Sequence, residues 1–101
     1  MARLVKKQTF ATEPDFLTAT RQVVELAAEH KAIDIKAYDV RALTLIADSF
    51  VMCSASSEPH MKALLNSVRD GMKFFGMRAL HVEGESSGGW VVLDFGGVVV
   101  H

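Results

Sequence analysis

The sequence predicts an α/β fold: a single small domain in which a mixed sheet of about five strands carries packed helices. Three observations predict it. The hydrophobic period switches along the chain between a helical step and a strand step, in the order α-β-β-α-β-β-β. Apolar residues make up 50% of the chain and charged residues 23%, the balance of a globular protein and not of a disordered one. A length of 101 residues accommodates one core and leaves no room for a second.

The first element is a helix. Thr12 can cap it, Pro14 and Asp15 suit its first turn, and Phe16, Leu17, Thr20, Val23, Val24 and Ala27 recur at three- and four-residue steps up to an end near His30 and Lys31. From Ile33 the period becomes two: Ile33, Ile35 and Ala37 fall on one side, Asp34, Lys36 and Tyr38 on the other, as in a strand with one wet face. Phe50 to Cys53 is an unbroken apolar run between Asp48-Ser49 and Ser54-Ala55-Ser56-Ser57, which predicts a central strand covered on both faces. Ser56 or Ser57 then caps a second helix, whose apolar positions Met61, Leu64, Leu65, Val68, Met72 and Phe75 keep the helical step until Gly76 stops it. Leu80 and Val82 alternate with Ala79, His81 and Glu83 in a third strand, and a strand–helix–strand unit of this length favours a parallel, right-handed crossover. Gly84 to Gly89 reads as a loop. Trp90–Phe95 and Val98–His101 flank Gly96-Gly97, a hairpin signal in which both glycines accept positive φ. By this reading the chain stops in mid-strand at His101.

Charge excludes some functions. Eleven Lys and Arg against twelve Asp and Glu leave a net −1, so no overall basic field drives binding to a phosphate backbone. The balance is uneven, because Arg3, Lys6 and Lys7 lie within the first ten residues and residues 11–101 carry eight basic against twelve acidic side chains. Residues 1–11 are therefore expected to be a flexible basic arm and 12–101 the folded domain. One cysteine, Cys53, cannot form an internal disulfide, and no signal-like apolar stretch opens the chain, which points to the cytoplasm.

Catalytic chemistry finds little support. A reactive thiol needs exposure and a base or helix dipole, whereas Cys53 ends an apolar run and reads as core. His30, His60, His81 and His101 lack the short spacings of a structural zinc site, so no metal and no cofactor is expected. Ser54 to Ser57 lacks the glycines and lysine of a phosphate loop and reads as helix capping. Glu83, Glu85 and Asp94 are the carboxylates that the predicted sheet brings together, either as an acid–base or metal-binding set or as solvated charges. If Val91, Leu93 and Phe95 face the core, Trp90 shares the other face with His81, Glu83 and Asp94. Such a Trp is either the aromatic anchor of an interface for a partner rich in Lys and Arg or core beneath a covering helix; the acidic body favours the interface.

Taken as an ordered set, Asp39-Val, the run from Asp48 to Ser57, Glu83-Gly-Glu and the run from Trp90 to His101 closely resemble the ribosome silencing factor family, also called Iojap-like proteins, from about Phe16 onward. The resemblance implies a nucleotidyltransferase-like fold without the catalytic carboxylates, and a translational repressor with no enzymatic activity. It implies binding to the large ribosomal subunit through its fourteenth protein, on the face that meets the small subunit, so that joining is blocked sterically. Some relatives act in large-subunit assembly. Carried over by position, Trp90 becomes the interface anchor, with Asp94 and Glu83 pairing to a basic ribosomal surface. Asp39, Asp48, Ser54, Ser56, Gly84, Gly96 and His101 also match motif positions, with turn and cap chemistry accounting for several of them.

Two departures stand out. The family usually has Gly-Asp where this chain has Gly96-Gly97, and its members continue beyond the position of His101 with more strand and a helix. The chain therefore reads as truncated, and a shortened sheet edge invites pairing with a second copy. The competing function is a metal-dependent nucleotide-binding enzyme built on Glu83, Glu85 and Asp94. A third reading, in which Arg3, Lys6 and Lys7 touch ribosomal RNA, makes the arm at most an auxiliary contact.

Overall fold

The structure, a computed structural model, describes residues 15–101. The basic arm expected over residues 1–11 lies outside them, and so does Thr12, but the first helix starts later than expected and Asp15, expected in its first turn, takes the capping place instead of Thr12. Helix α1 spans Phe16–Glu29, and its cap is Asp15, whose carboxylate accepts the Thr18 N–H at 2.8 Å. Its buried stripe is Ala19, Val23 and Ala27; Leu17, expected inside, is exposed. The helix closes in a Schellman turn, with Lys31 N–H donating to Ala28 O and Ala32 N–H to Ala27 O, at the cost of a lysine at φ 65°.

Strands β1 (Ile33–Asp39) and β2 (Ser49–Ser54) pair antiparallel, helix α2 (Glu58–Phe74) follows, and β3 (His81–Glu85), β4 (Trp90–Asp94) and β5 (Val98–Val100) complete a mixed sheet in the order β1-β2-β5-β4-β3. Among the described residues, only β2 and β5 are parallel neighbours. Ser57 caps α2 by accepting the His60 N–H at 3.1 Å, and Gly76 at φ 104° ends it in a second Schellman turn. Both helices lie on one side of the sheet. There Val23, Ala27, Leu64, Val68 and Met72 pack on Val51, Leu93, Phe95, Val98 and Val100. Gly71 lets the helices approach, since a Cβ there would stand 2.6 Å from the Leu26 side chain. Ser49, a buried polar residue, is tied across the layers by its hydroxyl to that of Thr20 at 2.6 Å. No helix among the described residues is long and apolar enough to cross a membrane.

Several expectations change. Strand β2 is neither central nor covered twice: β5 holds the centre, and Met52 is 45% exposed because no helix among the described residues reaches the second face. Strand β3 runs in the direction of β2, but β4 and β5 intervene, so the crossover does not join neighbours. It comprises His81–Glu85 and is exposed throughout, with Leu80 outside it and also exposed, because an edge strand lies beyond the helices. In β1 a bulge between Ile33 and Lys36, with Asp34 at φ 56°, breaks the alternation, and only Ile35 is half-buried. The final strand is no edge: β5 is flanked by β2 and β4, and the edges open to pairing are β1 and β3. In the β4–β5 hairpin only Gly96 takes positive φ, the pattern of a type II′ turn; Gly97 is there because Asp48 sits 3.0 Å from where a Cβ would be.

Candidate partner-binding face

Strand alternation sends one set of side chains to the helices and the other to the uncovered face. Register places His81 opposite Asp94, Glu83 opposite Val92 and Glu85 opposite Trp90, so these three pairs share that open face. Trp90 is 56% exposed, whereas Leu93 on the same strand is 3% exposed beneath the helices. Thus Trp90, Glu83 and Asp94, the residues expected to bind a partner, lie on one surface, with Glu85 beside them.

Trp90 is held in place. Its ring lies against Gly84, where a Cβ would come within 2.8 Å of an indole carbon and would also collide with the Trp90 carbonyl oxygen; Gly84 itself sits at φ 84°. An edge glycine covered by a cross-strand aromatic recovers packing that the strand otherwise lacks. Asp94 is partly committed to the fold, because Oδ1 accepts the Gly96 N–H at 2.7 Å and shapes the hairpin.

The remaining motif residues are spread over the chain and serve local structure. Asp39 accepts a two-pronged guanidinium from Arg41, with Nε at 3.0 Å and Nη2 at 2.7 Å, and this bonding holds its carboxyl below the usual range. Asp48 joins β2 to the hairpin, its N–H and that of Ser49 both donating to Gly97 O. Ser54 ends β2. Ser56 donates its N–H to His60 Nδ1 at 2.9 Å, which leaves Nε2 to donate to His30 O at 2.8 Å and ties the second helix to the end of the first. His101 donates its N–H to Val51 O, accepts from Cys53, and tilts its ring over Phe50 at 5.7 Å between centroids.

On the helix side, a cavity of about 270 Å³ lies between α2 and the sheet, lined by Met61, Leu64, Val68, Leu93 and Cys53, and Trp90 at the start of β4 also borders it. Desolvation pushes the Cys53 thiol up, the opposite of what a thiolate nucleophile needs. No group of three or more His, Cys, Asp and Glu among the described residues is placed to hold a metal ion. The feature that periodicity missed is the segment between β1 and β2, where Leu43, Leu45 and Ile46 stand in solvent. Its only signal is an apolar cluster, Ala42 to Ala47, with neither a helical nor a strand period.

Comparison with known proteins matches residues 13–101 to a family described as "Ribosomal silencing factor during starvation". A protein of Bacillus subtilis named "Ribosomal silencing factor RsfS" is 31% identical over 85 residues, 80% of this chain and 72% of that relative. The protein of the same name from Chromobacterium violaceum is 34% identical over 82 residues, 81% of this chain and 67% of that one. A crystal structure of a Chromobacterium violaceum protein superposes with a TM-score of 0.83 at 32% identity, covering 87% of this chain and 73% of that chain.

Proposed function

The chain belongs to the ribosomal silencing factor family, and from that premise we propose that it represses translation by binding the large ribosomal subunit through its fourteenth protein and blocking the small subunit sterically. It acts in the cytoplasm as a binding protein and not as a catalyst, through the domain of residues 12–101. One observation carries this reading: a half-exposed Trp90, fixed against Gly84, stands on an uncovered sheet face among Glu83, Glu85 and Asp94. An aromatic that is rigid before binding loses little entropy on docking, and carboxylates around it select a surface rich in Lys and Arg. Ribosomal proteins that neutralise RNA carry such surfaces.

Here Trp90 is the anchor and Glu83 pairs with cations. Asp94 contributes its charge while one oxygen remains in the hairpin. Asp39, Asp48, Ser54, Ser56, Gly84, Gly96 and His101 hold the scaffold that presents them. The test is co-sedimentation with purified large subunits, wild type beside Trp90→Ala, with subunit joining followed in the same samples. The wild type is expected to sediment with the subunits and block joining, and the folded variant to lose ~2 kcal/mol or more of affinity and to release the block. Absence of co-sedimentation by the wild-type protein, or unimpeded joining when it is bound, would overturn the proposal.

A further inference from the structure

The segment between β1 and β2 exposes Leu43 by 82%, Leu45 by 104% and Ile46 by 82%. A single leucine in solvent is ordinary; three large apolar side chains within four residues of an ordered loop are not. The loop is closed by Val40 N–H donating to Asp48 O at 2.9 Å. It is further braced by Leu43 and Thr44 N–H groups donating to Val40 O at 2.9 and 3.1 Å and by Ile46 N–H donating to Thr44 Oγ1 at 3.0 Å. The Asp39–Arg41 fork stiffens its start, and Arg41 reaches over the Phe16 ring, 4.2 Å from its centroid. Its smaller apolar residues, Val40 and Ala47, turn inward onto Val99, Phe50 and Val92, so the loop sits on the same open face as Trp90. The largest side chains are the ones that point away.

Their position on that face is defined. Val99, beneath the loop, pairs with Asp94, whereas Trp90 begins β4 at the other end. Four strand residues, roughly 13 Å, separate the two ends. Glu83, opposite Val92, stands in the interval, with Glu85 level with Trp90 and Asp94 level with Val99, so an acidic stripe runs from one apolar feature to the other. Asp39 and Arg41 pair with each other, so among the described residues Lys36, level with Met52, stands on the face against those three carboxylates. Charge of this sign disfavours a nucleic-acid backbone and a second copy presenting the same stripe.

We propose that Leu43, Leu45 and Ile46 form a second anchor of the partner-binding face, inserting into an apolar recess on a protein whose surrounding surface is basic. The inference rests on the silencing reading of this face and adds the shape of its partner: a cationic strip with an apolar recess beyond the Asp94 end. A loop already braced in the free protein avoids the ordering cost that a mobile one would meet on docking.

The probe is purified large ribosomal subunits, titrated with wild type, the triple variant Leu43→Ser, Leu45→Ser, Ile46→Ser, and Leu45→Ser alone, with circular dichroism and sedimentation velocity on each free protein. The expected result is a tenfold or greater loss of affinity in the triple variant and a smaller loss in Leu45→Ser, with both folded and with unchanged sedimentation coefficients. Equal binding by the wild type and a folded triple variant overturns the second anchor while leaving the silencing reading in place. No binding by the wild type overturns both. A loop variant that shifts the sedimentation coefficient toward a smaller species overturns the proposal in favour of self-association.

Discussion

The two faces of the sheet are made by the same strands and end in opposite states. On β4, Leu93 turns toward the helices and is buried, while Trp90 and Val92 turn the other way and share their face with charge. On the helix side, Val23, Ala27, Leu64, Val68 and Met72 close over the strands. On the other side, among the described residues, only Val40 and Ala47 of the β1–β2 loop come down, onto Val99. Alternation thus sorts residues into two sets with equal clarity, yet burial depends on what arrives to cover each set. The covered face supplies the stability, and the uncovered one leaves apolar and acidic groups in solvent.

The largest expected effect tests the covered face. Met72 is fully buried between helix and sheet, so Met72→Ala is expected to lose about 2–5 kcal/mol in urea unfolding, whereas Trp90→Ala costs the fold far less. Equal losses from the two substitutions would erase the distinction between the faces. Next comes Gly84→Ala, which meets both a positive φ and the Trp90 ring; a destabilisation of about 1–3 kcal/mol is expected, with a shift in Trp fluorescence that reports a displaced indole. An unchanged melting temperature and spectrum would show that Trp90 is not held by this contact.

A smaller effect of opposite sign sharpens the comparison between the two helices. Gly76 ends α2 where Lys31 ends α1, both at positive φ. Lys31→Gly should stabilise the protein by up to about 1 kcal/mol, measured as a higher midpoint at unchanged slope in urea. The smallest effect concerns exposed groups. Asp15 is held low chiefly by the Thr18 backbone N–H, and Asp39 chiefly by hydrogen bonding from the Arg41 side chain. A carboxyl lowered in the folded state stabilises it above the unfolded pKa, so this contribution is present at neutral pH and fades as pH falls below about 4. Acid titration of the melting temperature should be shallower in Asp15→Asn and in Asp39→Asn; an identical slope in both would show that neither bond matters.

Legibility followed the helices. The α2 repeat from Met61 to Phe75, with serine before it and glycine after it, carries its own period and stop signals, and the structure places all of them as expected. The alternation of β4 and β3 likewise assembled Trp90, Glu83 and Asp94 on one face. The failures lie in edge strands and loops. The Ile33–Tyr38 pattern is interrupted by a bulge that no local signal announced, and the Phe50–Cys53 run is apolar on both sides although only one is covered. The apolar loop at Leu43–Ile46 escaped notice because exposed apolar residues have no period.

The sequence by itself determined the element order, the C-terminal ends of both helices, the cap of α2, the site of the hairpin, and which side chains of β3 and β4 share a face, because these follow from backbone geometry over a few residues. Tertiary structure alone decided that β5 sits between β2 and β4, that both helices pack on one side, and that the Trp90 face stays open. The physical reason is that neighbouring strands and covering layers are set by where distant segments return, and many returns are compatible with one pattern of alternation.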